Sequence, residues 1–254
     1  MQHTIHPDFK TYSGRILKHI EDFGNSGELV FGGARNEIRS IDIKGEKFNV
    51  KSFKIPHKLN AIIYKYFRPS KARRSFEYAS KLLNLGISTP QPVAYFEFIN
   101  KSGLSSSYYV SRHIDYDLDF RELIHNQDYP EREKILQRFT EFTYRLHEND
   151  INFLDHSPGN TLIEKTSSGY KFYLIDLNRM RFEKMNFNQR MHNFRRLWLS
   201  KAMIKIMAKT YADLYGKSFI ETYDLMLEYS RQFQKKINFK KLRRMGRRPK
   251  FKDA

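Results

Sequence analysis

The stretch Leu154-Asp155-His156-Ser157-Pro158-Gly159-Asn160-Thr161-Leu162-Ile163, with Phe172-Tyr173-Leu174-Ile175-Asp176 after it, decides how the rest of the chain is read. Thr161-Leu162-Ile163 and Phe172-Tyr173-Leu174-Ile175 are short, apolar and rich in β-prone residues. Lys165-Thr166-Ser167-Ser168-Gly169 between them carries a turn signal, so the spacing predicts a β-hairpin. Such a hairpin brings Asn160, before its first strand, and Asp176, after its second, to one end of the two strands. Asp155 to Asn160 also has the composition of a plain surface loop. A second aspartate closing an apolar strand is what speaks against that reading, since a charge in that position needs a reason.

One aspartate, an asparagine five residues on and a second aspartate after a hairpin suit phosphoryl transfer. The first accepts the proton of an attacking hydroxyl; the other two hold Mg²⁺ against nucleotide phosphates. That assigns Asp155 as candidate catalytic base and Asn160 and Asp176 as candidate metal ligands.

Upstream the pattern is of strands: Glu28-Leu29-Val30-Phe31, Glu37 to Ile43, and Lys47 to Lys54, the last two alternating and joined by Lys44-Gly45-Glu46. Lys51 sits in the third of these, flanked by Phe48, Val50 and Phe53, where a lysine can reach inward to the α- and β-phosphates. Lys54 competes for that role. A helix is expected through Leu59 to Phe67 and another after Pro69, with Ser70 as N-cap and Gly86 past its end. Glu77 on the second helix can fix Lys51 by an ion pair, or both are solvated charges. Gly32 and Gly33 follow the first strand, where a nucleotide-covering loop belongs, though a simple tight turn fits equally and the G-x-G-x-x-G pattern is absent. A strand near Val93 to Ile99, a Ser-rich turn from Lys101 to Ser107 and a strand near Tyr108 to Ser111 complete a small sheet.

After about Arg112 the character becomes helical. Ile135, Phe139, Phe142 and Leu146 recur at helical spacing, and Gln189 to Tyr215 and Ser218 to Lys236 each read as a helix. The fold class expected is α+β, bilobal and protein-kinase-like: residues 1–111 form a β-rich lobe, 112–230 a helical lobe and 231–254 a basic tail. A parallel doubly wound sheet would alternate strand and helix throughout, and this chain does not.

The 254 residues carry a formal charge of +18 and no cysteine, which rules out a disulfide, a thiolate nucleophile and a cysteine-held metal. From Arg231 to the end eleven Lys or Arg face one acid, Asp253, with Phe233, Ile237, Phe239, Leu242, Met245 and Phe251 among them. This segment suits an anionic surface, lipid head groups or nucleic acid, unless it is a disordered solvated tail. No run approaches the roughly 18 apolar residues of a membrane span, and the first thirty residues lack the apolar core of a signal peptide. A soluble or peripheral protein on the cytoplasmic side is the expectation.

Asn49-Val50-Lys51-Ser52-Phe53-Lys54, Arg74-Ser75-Phe76-Glu77, Leu146-His147, Leu154 to Ile163 and Ile175-Asp176-Leu177-Asn178-Arg179 together resemble the lipopolysaccharide kinases of the Kdo/WaaP type, a bacterial branch of the protein-kinase-like fold. The resemblance spans roughly residues 28 to 200. It implies ATP- and Mg²⁺-dependent phosphorylation of a sugar hydroxyl on the lipopolysaccharide inner core, often Kdo attached to lipid A, at the inner face of the bacterial inner membrane. By motif position Asp155 resembles the base, Asn160 and Asp176 the metal ligands, and Lys51 with Glu77 the phosphate-anchoring pair. An anionic membrane is then the expected partner of the basic tail, and nucleic acid is not.

The chain departs from the kinase pattern at Phe153 and Leu154, where histidine and arginine are usual, so the loop must be braced differently. Leu177 and Asn178 follow Asp176 with no glycine, and no Ala-Pro-Glu motif follows, which favours a sugar or small molecule over a peptide acceptor. Arg179 is a candidate for an acceptor carboxylate or phosphate, or an ordinary surface arginine. His156 either contacts a phosphate or sits in the turn. The alternatives are a kinase of a soluble molecule such as an aminoglycoside, disfavoured by the positive charge, and a non-catalytic kinase-shaped binding module.

Overall fold

A computed structural model describes residues 1–33, 36–53, 64 and 68–246. It divides into two compact units, one of residues 1–116 with 173–179, the other of residues 117–172 with 180–254. The helix expected from Leu59 to Phe67 lies almost entirely outside the described residues, as does Lys54.

The first unit holds β1 (Gln2–Ile5), α1 (Ser13–Glu21), β2 (Glu28–Gly32), β3 (Asn36–Ile43), β4 (Glu46–Phe53), α2 (Lys71–Asn84), β5 (Pro92–Asn100) and β6 (Gly103–Arg112). Its strands form an antiparallel sheet in the order β1-β5-β6-β4-β3-β2. β3 and β4 pair from Asn36 with Phe53 to Ile43 with Glu46, and Lys44 and Gly45 turn between them at φ 60° and 81°. Positive φ at both turn positions matches the right-handed twist of the flanking strands, and glycine takes it at little cost. Ser70 caps α2 by accepting the Arg73 N–H at 3.1 Å, and Gly86 follows the helix at φ 70°. The Ser-rich stretch is not a turn: Ser105 to Ser107 belong to β6, and the turn shrinks to Lys101 and Ser102, because the ladder to β5 runs on to Gly103 opposite Asn100.

The opening residues are more structured than their polar composition indicates. Phe9, Ile16 and Ile20 are buried against Ile41, Ile43, Phe48, Val50, Phe96 and Val110. Ile16 and Ile20 lie one helical turn apart, so α1 closes one face of the sheet with a narrow apolar stripe. Alternation along β4 sends Phe48 and Val50 into this core and puts Lys51 and Phe53 on the opposite face.

The second unit comprises β7 (Leu118–Asp119), α3 (Phe120–His125), α4 (Arg132–Glu148), β8 (Ile151–Phe153), β9 (Thr161–Thr166), the larger part of β10 (Gly169–Leu174), β11 (Met180–Phe182), α5 (Phe187–Asn193), α6 (Lys201–Tyr215) and α7 (Phe219–Met245). β9 and β10 are neighbours in a sheet that β7 extends, so the hairpin forms where the sequence places it. β8 pairs antiparallel with β11, Phe153 opposite Met180. The helix expected from Gln189 to Tyr215 is broken. A short 3-10 helix, Phe194–Leu197, follows α5, Trp198 turns left-handed at φ 57°, and Ser200 caps α6 by accepting the Met203 N–H. At the other end the residues expected to begin a separate tail at Arg231 continue α7 without interruption to Met245.

Replacing Ile16 by alanine should lower the unfolding free energy by about 2–5 kcal/mol, the range for emptying a fully buried aliphatic site. Urea denaturation measures it. A loss within ±0.5 kcal/mol, the size of a surface substitution, would mean that α1 does not seal the sheet.

Candidate active site

Residues 173–179 are held within the first unit by four contacts. The Leu174 N–H donates to the Ser88 carbonyl at 3.1 Å, the Thr89 hydroxyl to the Leu174 carbonyl at 2.7 Å, and Arg74 Nη1 to the Asn178 carbonyl at 2.7 Å. The fourth is the ion pair of Lys51 Nζ with Asp176 Oδ1 at 2.6 Å, both side chains mostly buried. Asn178 Nδ2 donates to the same Oδ1 at 2.7 Å. Asp176 itself is left-handed, φ 57°, a strained conformation for a side chain other than glycine that recurs at functional sites.

Lys51 is therefore paired with Asp176 and not with Glu77. Glu77 lies on the exposed side of α2 and accepts from Arg73 Nε at 2.7 Å, four residues back along the helix. The helical period explains the difference. Ala72, Arg74, Ser75, Phe76, Ala79 and Leu82 share the buried face of α2, so its inward charge is Arg74 and the position of Glu77 faces water. Lys51 Nζ and Lys71 Nζ lie 5.3 and 5.9 Å from the centre of the Phe53 ring, and burial, with Arg179 next in effect, pushes the Lys71 ammonium below the usual lysine range. Cations gathered about one carboxylate make this face receptive to a polyanion. Arg179 is exposed. Gly32 ends β2 opposite Glu37, and the Gly33 N–H donates to the Asn36 carbonyl at 3.1 Å.

In the second unit Asp155 and Asn160 share one loop. Asn160 Nδ2 donates to the Asp155 carbonyl at 2.8 Å, and Asp155 Oδ1 accepts from Arg196 Nη2 at 2.7 Å. With its amide nitrogen so engaged, Asn160 has Oδ1 as the atom able to act as a ligand. The brace that Phe153 and Leu154 cannot supply comes from two buried histidines and Asn193. Asn193 Nδ2 donates to Asn152 Oδ1 at 3.1 Å and to the Phe153 carbonyl at 3.0 Å. Its Oδ1 can then only accept, from His156 Nδ1 at 2.9 Å and His147 Nε2 at 3.4 Å. The Tyr211 hydroxyl meets His147 Nδ1 at 2.8 Å. His156 is thus a fully buried member of this brace, out of reach of a substrate phosphate.

Burial holds both imidazoles neutral, lowering His147 to about 3 and His156 to about 4. A second proton on His156 would sit on Nε2, which has no hydrogen-bond partner.

Among the described residues no three His, Cys, Asp or Glu are placed together to hold a metal ion. Mg²⁺ does not need them. It is bound through one or two carboxylates with phosphates and waters, and Asp176 in the first unit and Asn160 in the second each carry a hard oxygen. Sequence reasoning missed Arg74, Asn178, Asn193 and Arg196. Asn178 carried a local signal, an amide two residues beyond the aspartate; the others are brought in by tertiary packing.

The model of the lipopolysaccharide kinase (Kdo/WaaP) family matches residues 35–223. A solved structure, WaaP in complex with acyl carrier protein, is similar with a TM-score of 0.63 and 16% identity, over 92% of this chain and 99% of that one. At such identity the likeness establishes the fold, which is kinase-like. Comparison with curated proteins gives no match.

The neutral histidines make stability depend on pH. Unfolded, each takes up a proton near 6.5; folded, they resist to about 4 and 3. Between these values the unfolded chain binds more protons, so stability falls as pH drops below 6.5, by up to roughly 3 kcal/mol per pH unit for the pair. Urea titrations from pH 7 to pH 4.5 should show this slope, and His156→Gln should remove about half of it. An unchanged slope in that variant would contradict the buried, neutral state.

Proposed function

The chain belongs to the lipopolysaccharide kinase (Kdo/WaaP) family, and on that premise we propose that it phosphorylates a sugar hydroxyl of the lipopolysaccharide inner core, of the Kdo–lipid A type, with ATP and Mg²⁺. The observation that supports this reading is the Lys51–Asp176 ion pair at 2.6 Å, an ammonium and a carboxylate of the kinds that would bind phosphate and metal.

Asp155 is the proton acceptor. Its carboxylate takes the hydroxyl proton of the acceptor as the oxygen attacks. Asn160 Oδ1 and the Asp176 carboxylate would hold Mg²⁺, and Lys51 would hold the nucleotide phosphates with Lys71 beside it. When bound, nucleotide and metal supply the phosphoryl group and the neutralisation of its charge. Gly32, at the end of β2, and Gly33 after it are assigned to cover the nucleotide. Glu77 has no part in anchoring Lys51 in this scheme. Arg179, exposed and close enough to Lys71 to lower it, suits an anionic group of the acceptor.

α7 supports a membrane-held acceptor. Phe239, Leu242 and Met245 are 68%, 67% and 58% exposed on a helix that also carries Lys235, Lys236, Lys240, Lys241 and Arg243. Apolar side chains among cations suit the surface of an anionic leaflet, where each Lys or Arg contributes about 1 kcal/mol. Among the described residues no helix is long and apolar enough to cross a membrane. The cytoplasmic leaflet is the corresponding location.

Incubated with Mg·ATP and lipid A–core acceptors, the protein should add one phosphate, read by mass spectrometry. Asp155→Asn should slow this by roughly 10²–10⁴-fold, the scale of losing a positioned base, while keeping its stabilisation by Mg·ATP. Undiminished turnover in that variant would remove Asp155 as the base.

A further inference from the structure

The 3-10 helix after α5 does more than connect two helices. Asn193 and Arg196 lie three residues apart across it, and in a 3-10 helix such positions eclipse each other. Both address the Asp155 loop, Asn193 through the Phe153 carbonyl at 3.0 Å and Arg196 through the Asp155 carboxylate at 2.7 Å. One turn of chain therefore fixes the loop twice, at its backbone and at its reacting group. Arg196 is itself supported: its guanidinium carbon lies 5.6 Å from the centre of the Phe233 ring, which Trp198 meets edge-on at 5.9 Å. Its Nε is buried with no hydrogen-bond partner. That side chain carries an unsatisfied donor to keep its Nη2 on Asp155, a cost that packing alone would not select.

We propose that Arg196, resting on Phe233 of α7, is a positioning residue for the catalytic base, fixing the plane of the Asp155 carboxylate against the acceptor hydroxyl. The proposal rests on the kinase reading above and extends it, since α7 becomes a part of the catalytic apparatus through a side chain that touches neither nucleotide nor metal. A planar guanidinium on a ring face is a fixed support, whereas an ammonium on a flexible stem is not. Lysine should therefore substitute poorly.

The test compares wild type with Arg196→Gln, Arg196→Lys, Arg196→Ala and Phe233→Leu, assayed for phosphate transfer to the lipid A–core acceptor. Arg196→Gln should lower kcat about 10- to 100-fold, the scale on which misplacing a reacting group acts. KM for ATP and the melting shift with Mg·ATP should not move. Phe233→Leu should fall in the same direction by less, and Arg196→Lys should recover only part of the rate. Added guanidinium ion should restore turnover to Arg196→Ala and not to Asp155→Asn. Hydrogen exchange at residues 152–156 should stay protected in Arg196→Gln, because Asn193 still holds the backbone. Wild-type kcat in Arg196→Gln, a faster rate, or no rescue of Arg196→Ala would overturn the proposal. No turnover by wild type on any such acceptor would refute the kinase reading itself, and this inference with it.

Discussion

An ammonium and a carboxylate 125 residues apart in sequence meet at 2.6 Å in the first unit, and the chemistry of the site depends on that meeting. Neither charge would be stable half-buried by itself. Lys51 is presented by the alternation of β4, which gives Phe48 and Val50 to the core and leaves the lysine on the other face. Asp176 is presented by a segment whose backbone is held by the Ser88 carbonyl, the Thr89 hydroxyl and the Arg74 guanidinium. The left-handed Asp176 is maintained because its neighbours on both sides are fixed, and Asn178 adds a second hydrogen bond to the same oxygen. The pair and the Asn178 hydrogen bond hold both charges in place within the first unit.

The second unit solves a different problem, that of holding a loop of turn residues still. Asn193 does this from within the core, donating to Asn152 and to the Phe153 carbonyl and accepting from His156 and His147, whose imidazoles burial keeps neutral. The arrangement replaces the bracing that a histidine and arginine before the aspartate give in other kinases. It leaves the aspartate's own carboxylate to Arg196.

Much of this was readable in the residues. The hairpin after Asn160, the Lys44-Gly45 turn, the Ser70 cap and the inward Lys51 all follow from period and turn chemistry, which act locally. Among the readings that did not survive, three failed for want of tertiary information. Glu77 sits one residue beyond the buried Phe76, and a single step along a helix of 3.6 residues per turn is enough to turn a side chain from core to water. The Ser105–Ser107 run looks like a turn until its pairing partner β5 is known. The break at Trp198 has no glycine or proline to announce it, only a serine cap two residues on. Asn193 and Arg196 were invisible because the sequence offers no spacing that ties them to Asp155.

The most direct measurement is the melting shift on adding Mg·ATP to wild type, Lys51→Met and Glu77→Gln. Ligand at about 100 times its dissociation constant adds roughly 2.7 kcal/mol, so the shift is readily seen. Wild type and Glu77→Gln should be stabilised alike, and Lys51→Met should lose most of the shift. A full shift in Lys51→Met, or its loss in Glu77→Gln, would contradict the Lys51–Asp176 pair as the phosphate and metal anchor.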